Sequence, residues 1–419
     1  MGRKNMTGSK RLFKFQYLIY GLLFIILTGF YSNSNAQQSE DDGRPNIIIF
    51  VADDAGWRDF GTYGNKVVQT PNIDQLAHGG LQFENAFLTT AQCSPSRISI
   101  LSGLYPHATG AEDLHMPLPE GTRILPGYLG DEGYFTGHMR KTHYGPHADA
   151  QFDWYSEDLS ASFPSFLDKT GEKPFFLWVG FSDPHRGYGD APEVHAPEDI
   201  LVPPYLVDSF ETRKDLAKYY DEISRMDGQI GQFLKILEEQ ERRNNTLILF
   251  LSDNGAPFPR AKGTVYDAGI KTPLIINWPG KIKPGAKYEG LTSVIDLTPT
   301  ILDVAGMVIP EQMQGKSIEP VFMFKPCRAA NTFSVSAIGT IATSISGACG
   351  RSGLNLFATP TRELPHGTPA DIGGSPSFRA LIRKKKKGTL THDQSRLFGY
   401  RDQELSCMTC KKIHVRSTM

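Results

Sequence analysis

The sequence has no excess of charge of either sign. Its 419 residues carry 44 basic and 45 acidic side chains, a formal charge of −1. A protein built to hold nucleic acid shows a basic surplus, so no nucleic-acid partner is expected. Cysteine is scarce, five in the whole chain, too few for a disulfide-stapled scaffold. Long hydrophobic runs are scarcer still. Tyr17–Tyr31 (YLIYGLLFIILTGFY) approaches membrane length but is short for a bilayer span, and no later stretch could cross a membrane. Apolar residues are not lacking: at 40%, with 11% aromatics, they suffice for a large core and exclude wholesale disorder. The length suits a large α/β enzyme with one main domain and a smaller one.

Residues 1–36 read as a signal peptide. Arg3, Lys4, Lys10, Arg11 and Lys14 form a basic region ahead of the Tyr17–Tyr31 run, and Ser34-Asn35-Ala36 places small residues where a signal peptidase reads. The mature chain is expected to begin near Gln37 and to be exported, periplasmic or secreted, with no stable membrane span after cleavage. An uncleaved N-terminal anchor is the alternative. Asn244-Asn245-Thr246 is a glycosylation triplet of a kind that also arises by chance.

Past a polar linker, four continuous apolar runs suggest buried parallel strands: Asn46–Ala52, Phe175–Ser182, Leu247–Ser252 and Pro273–Trp278. Helical patterns lie between them at Pro71–Gly79, Pro95–Gly103 and Arg213–Glu241. The last carries Leu216, Tyr219, Tyr220, Ile223, Met226, Ile230, Phe233 and Leu237 near period 3.6. Strands alternating with helices predict an α/β fold, a mostly parallel sheet flanked by helices, with ligands beyond the carboxyl ends of the strands.

Three of these runs end in chemistry. Asp53-Asp54 follows the first, Asp183-Pro184-His185 the second and Asp253-Asn254-Gly255 the third. Asp53, Asp54, Asp253 and Asn254 are oxygen donors of the kind that hard divalent cations take. Each pair alone could equally be a turn or a helix cap. Cys93, in Cys93-Ser94-Pro95-Ser96-Arg97, precedes a helical pattern and so falls at a helix N-terminus. Backbone N–H groups there favour an anion, and a bare thiol is expected to have a lowered pKa. The bland alternative is a buried structural cysteine.

Cys93-Ser94-Pro95-Ser96-Arg97 matches the Cys-x-Pro-x-Arg signature of type I sulfatases, and the resemblance runs from about Arg44 to Phe322. It includes Pro45–Gly56, Thr70–Leu76, Leu101–Gly110, Ser252–Gly255 and Leu297–Leu302. Within the family, Asn85-Ala86-Phe87, Asp183-Pro184-His185-Arg186 and Ser252–Pro259 resemble the heparan N-sulfatase (sulfamidase) branch. The resemblance implies an alkaline-phosphatase-like fold with a small C-terminal α+β domain. It implies conversion of Cys93 to formylglycine by a maturation enzyme, the hydrated aldehyde being the nucleophile on sulfur. It implies one Ca²⁺ held by Asp53, Asp54, modified Cys93, Asp253 and Asn254. Arg97 would hold the formylglycine hydrate. Lys141 and His143, in a Gly-Lys-x-His-like motif where Arg140 replaces the Gly, would contact the substrate together with His185 and Lys262. Arg260 lies close enough to Lys262 that either cation could point inward. His115 and Arg186 are further substrate-binding candidates. His185 or His143 could donate the leaving-group proton. The expected substrate is a sulfated glycan, with the N-sulfate of glucosamine in heparan-type saccharides ahead of an O-sulfate. A phosphoesterase or phosphonate hydrolase on the same scaffold, and an inactive sulfated-glycan binder, are the rivals.

The expected catalytic domain is 37–325 and the C-terminal subdomain 326–419. From about Val335 to Pro360 neither strand nor helix periodicity holds. Bases able to encode Ser336–Thr340 give Glu, Arg, Asn, Trp, His in another frame, and Cys407–Ile413 can be re-read as Tyr-Asp-Leu-Gln-Lys-Asp-Pro. Two frame-shifted stretches, an in-frame Glu363–Phe398 between them and an early end are therefore expected. On that expectation the C-terminal domain is damaged and every core site residue precedes the break. Cys407 and Cys410 could be a redox or zinc pair, though no second pair lies nearby. Lys384–Lys387, with Arg383, read as a solvated basic loop.

Overall fold

The computed structural model describes residues 43–159, 161–323, 332–337, 343–350, 353–358 and 368–398. The expected signal segment, Cys327 and the Cys407–Cys410 pair lie outside the described residues. Among the described residues no helix is long and apolar enough to cross a membrane.

Strand β1 (Asn46–Ala52) is buried at every position. Its side chains alternate between two cores. Ile48 and Phe50 pack with Ile223 and Phe233 of the 30-residue helix Phe210–Glu239, while Ile47, Ile49 and Val51 pack with Ile98 and Leu101 of the helix Cys93–Ser102. Coverage on both faces is why the run is continuously apolar rather than alternating. Each such side chain contributes about 1.5–3 kcal/mol by leaving water.

In chain order the other strands of this sheet are β2 (Leu81–Phe87), β3 (Phe135–Arg140), β4 (Trp154–Ser156), β5 (Phe175–Gly180), β6 (Thr246–Ser252), β7 (Lys271–Thr272), β8 (Leu274–Asn277) and β9 (Ala286–Ser293). The nine strands run β4-β3-β5-β1-β6-β8-β2-β7, with β9 beside β2. The pairs around β1, β3, β5 and β6 are parallel, but β8, within the Pro273–Trp278 run expected to be parallel, joins antiparallel to both β6 and β2. Register matters most here. Val51 lies opposite Gly180 and Ala52 opposite Ser252, so β1, β5 and β6 end level. The polar residues that follow all three strands therefore emerge at one edge, as expected for a doubly covered sheet.

Helices are numbered α1 (Pro71–His78), α2 (Cys93–Ser102), α3 (Phe210–Glu239), α4 (Leu297–Val304), α5 (Ala370–Gly373) and α6 (Pro376–Lys386). All eight apolar positions named for α3 are buried, and its N-cap Ser209 accepts from the Thr212 amide.

The C-terminal region departs from the sequence expectation in two ways. Thr332–Ala337, Thr343–Gly350 and Gly353–Ala358 form a three-stranded antiparallel sheet, β10-β11-β12. Strand pairing uses backbone groups that every residue carries, so it does not require the missing alternation. The basic run is not a loop: Lys384–Lys386 close α6, where cations complement the helix dipole. That helix starts on Ser375, which caps the Phe378 amide, and its Ala380 and Leu381 join the core that α3 covers. Residues 368–398 are thus packed onto the sheet domain.

Candidate active site

Asp53, Asp54, Cys93 and Asp253 come together at the edge where β1 and β6 end. Each offers a ligand atom, all four atoms lie within 4.8 Å of one another, and all four residues are buried. Cys93 is the first residue of α2, and its Sγ lies 3.6 Å from Asp53 Oδ1 and 3.7 Å from Asp54 Oδ1. The loops are laced together by local bonds. The Asp54 amide donates to Asp253 Oδ1 at 3.1 Å, the Ala55 amide donates to Ser252 Oγ at 2.8 Å, and the Asn254 amide group donates to Asp54 Oδ1 at 2.6 Å.

Three cations answer the three carboxylates. Arg97 Nε donates to Asp253 Oδ2 at 2.7 Å and Nη1 to the Lys141 carbonyl at 2.7 Å. Lys141 Nζ reaches Asp53, and Lys262 Nζ donates to Asp54 Oδ2 at 2.8 Å. The fit around Arg97 is tight: a Cβ at Gly180 would lie 1.9 Å from the Lys141 carbonyl oxygen and 2.7 Å from Arg97 Nη1, so only glycine serves there.

Charge and burial shape each group. Burial pushes the Asp53 carboxyl up to about 7, helped by Asp253 and Asp54 against Arg97 and Lys141. Burial also pushes on Asp253, but Arg97 and Lys141 outweigh it and hold that carboxyl below its usual value. The expectation of a low Cys93 pKa is corrected. Burial, then Asp253, Asp54 and Asp53, push the thiol well above its ordinary value, because desolvation and three nearby carboxylates together exceed the pull of one helix N-terminus. Among the described residues, the buried Asn254 Oδ1 has no hydrogen-bond partner. Three carboxylates and a spare amide oxygen form an all-oxygen donor set that a hard divalent cation would satisfy.

Lys262, not Arg260, is the inward cation. It is buried, while Arg260 has φ 67° and lays its guanidinium over Tyr266 at 4.4 Å. His185 Nδ1 donates to the Arg186 carbonyl at 2.8 Å, leaving Nε2 toward Lys262 Nζ at 3.3 Å and Asp54 Oδ2 at 3.7 Å. His115 Nδ1 and His143 Nε2 are 2.6 Å apart. Burial, then Lys141 and Arg97, lower the His143 pKa to about 4, so His143 is neutral at physiological pH.

Asp54, His115, Arg140, His143 and Arg260 all have positive φ, a conformation that costs a non-glycine residue about 1 kcal/mol. Arg140, at φ 55°, occupies a left-handed position, which gives a backbone reason for glycine in the Gly-Lys-x-His pattern.

Two readings need correction. Arg186 is not free for a substrate: it makes a two-point ion pair with Asp215 at 2.8 and 3.0 Å and donates to the Pro257 carbonyl at 2.7 Å. It clamps the His185 loop to α3. Nor do all residues of the site precede the break. Asp371, on α5, accepts from Lys262 Nζ at 3.0 Å and lies 3.9 Å from His185 Nε2. Its one sequence signal was position within the stretch that reads in frame.

The sulfatase family model matches residues 45–307. The chain belongs to the sulfatase family. It is similar to the human N-sulphoglucosamine sulphohydrolase, 31% identical over 399 residues that cover 83% of this chain and 79% of that protein. An ulvan-active sulfatase of Formosa agariphila is 27% identical, covering 88% of this chain and 70% of its own length. A structure solved with D-glucosamine-2-N,6-O-disulfate as its substrate superposes with a TM-score of 0.60 at 20% identity, over 73% of this chain and 87% of that one. At that identity it shows the shared fold. This sulfatase is therefore a hydrolase of sulfate esters or sulfamates, and its acidic cluster stands where the α/β fold collects its strand ends.

Proposed function

We propose that this sulfatase is an exported, Ca²⁺-dependent enzyme that removes sulfate from glycans, with the N-sulfate of glucosamine in heparan-type saccharides as its substrate. The observation that carries the reading is the buried Asp53-Asp54-Cys93-Asp253 cluster at the head of a Cys-x-Pro-x-Arg helix. The 31% identity to a sulphohydrolase of N-sulphoglucosamine supports the choice of substrate.

Asp53, Asp54, Asp253 and the Asn254 amide oxygen would hold the cation, with position 93 beside it. When present, the cation supplies Lewis-acid polarisation, and a formylglycine made from Cys93 by a maturation enzyme supplies the nucleophile toward sulfur. The chain's own groups do the remainder. Arg97 fixes Asp253 and the Lys141 backbone. Lys141 and Lys262 bring positive charge to the nonbridging sulfate oxygens, where preorganised cations stabilise developing charge most effectively. His143 and His115 border that face. His185, half-buried and anchored through Nδ1, presents Nε2 to the departing nitrogen or oxygen.

Two measurements test this. Purified full-length enzyme, co-expressed with a formylglycine-generating enzyme, should release inorganic sulfate from N-sulfoglucosamine at least tenfold faster than from glucosamine 6-O-sulfate. The reverse order would move the assignment to an O-sulfatase, the reading that the ulvan-active relative favours. The second measurement concerns pH. In cation-free protein the Asp53 carboxyl titrates near 7 when folded, against 3.8 as the ordinary value. The folded state then binds the proton more tightly, so stability falls as pH rises through that window. A cation displaces the proton, so Ca²⁺ should raise Tm more at pH 8 than at pH 5. Equal Ca²⁺ shifts at both pH values would remove Asp53 from the ligand set.

A further inference from the structure

Asp371 is an acid in a place that favours anions. Within the cluster, three carboxylates (Asp53, Asp54, Asp253) face three cations (Arg97, Lys141, Lys262). Arg186 is already matched by Asp215 and does not enter this balance. A divalent cation in the donor set would leave two positive charges to meet a ligand. Asp371 removes one of them. It does so from the cation's own neighbourhood, since Lys262 Nζ sits between Asp54 Oδ2 at 2.8 Å and Asp371 Oδ2 at 3.0 Å. Burial works against the Asp371 charge, but Lys262 and His185 outweigh it and keep the carboxylate ionised. The residue is 22% exposed, so it is only partly withdrawn from solvent.

The segment carrying it is held in place. Pro369 lies against Gly263, where an added Cβ would come within 2.9 Å of its ring. The Ser377 amide donates to Asp215 Oδ2 at 3.3 Å, the carboxylate that clamps Arg186. Ala380 and Leu381 are buried in the core beneath. The position of Asp371 is therefore set by the fold and not by Lys262 alone.

We propose that Asp371 is a specificity-determining residue that tunes this pocket to a singly charged tetrahedral anion, a sulfate monoester or sulfamate, and against a doubly charged one. The inference rests on the sulfatase reading of the site and names its charge selectivity. A pocket with one net positive charge is matched by one negative charge, and a second negative charge meets the Asp371 carboxylate. Lys262 alone would make no such distinction, because it attracts both.

Two small anions of the same shape test it. At pH 7.5 sulfamate carries one negative charge and inorganic sulfate two. Their dissociation constants would be measured by calorimetry on the Ca²⁺-loaded full chain. In the wild type sulfamate should bind more tightly relative to sulfate than in Asp371→Asn, the ratio shifting toward sulfate by about tenfold, of the order expected for one charge near the ligand. Asp371→Glu keeps the charge and should keep the wild-type ratio, whereas a purely structural role would respond to side-chain length. Should Asp371→Asn fail to fold, Asp371→Ser with a matched Tm replaces it. A ratio unchanged within twofold in the neutral variant overturns the inference, as does the failure of either ion to bind wild-type protein. Sulfate release by the wild type alongside an unchanged ratio would leave the sulfatase reading standing and sink this one alone.

Discussion

Cys93→Ala should lower kcat/KM for sulfate release by about 10⁴ or more, as loss of a covalent nucleophile does, while unfolding free energy changes by less than about 2 kcal/mol. The thiol is buried and makes long contacts, 3.6 and 3.7 Å, to two carboxylates. Its removal leaves a small void and takes away a group that burial and the neighbouring carboxylates already hold protonated. A structural cysteine would show the opposite pattern, with stability lost and rate kept. Rate assays and urea unfolding on the same preparation separate the two. Retention of more than a tenth of the activity would place the nucleophile elsewhere. Mass analysis of the peptide containing residue 93 should find an aldehyde in the active wild type.

Arg97→Ala should cost about 3–5 kcal/mol of stability as well as activity, because it leaves a buried carboxylate without its partner. Arg97 is fully buried, and its two donated bonds, to Asp253 and to the Lys141 carbonyl, join α2 to the loops after β6 and β3. The loss should depend on pH. The Asp253 carboxyl is held below 3.8 in the folded wild type, so its contribution is present at neutral pH and is lost as pH falls through the folded value. The deficit of the variant should therefore be full near pH 7 and narrow only toward about pH 3, below the ordinary carboxyl value. Urea midpoints that differ equally at both pH values would show that packing, not charge, explains the loss. Arg97→Lys should not rescue it, since an ammonium cannot make both bonds at once.

These two residues also show how much could be read in the sequence. The signature around Cys93 is local, and a helix N-terminus follows from its pattern alone. The strands were legible for a similar reason: NIIIFVA and LILFLS are continuous because both faces are covered, and a run of that kind has few other uses. The pairs Asp53-Asp54 and Asp253-Asn254 were visible as strand ends, but either could have been a turn. Only the parallel register, with Ala52 beside Ser252, made them one site.

Where sequence reasoning failed, the cause was a partner distant in the chain. A helix N-terminus suggested a low thiol pKa at Cys93, but burial, then three carboxylates from two other loops, reverse it. Arg186 followed His185 in an inviting motif, but Asp215 on α3 had already taken its charge. Choosing between Arg260 and Lys262 depended on the left-handed backbone at Arg260 and the ring of Tyr266. Asp371 could not be reached by motif at all, because its function is defined by Lys262, more than a hundred residues earlier.

Local order was thus partly written in the sequence: four strands of the sheet, which helix begins at the cysteine, and which family the chain resembles. Hydrophobic period and backbone geometry act over a few residues, so a short window contains their causes. Tertiary structure alone decided which charges neutralise one another. Electrostatic energy depends on separation in space and on burial, and the fold sets both, bringing Arg97 to Asp253, Lys262 to Asp54 and Asp371 to Lys262.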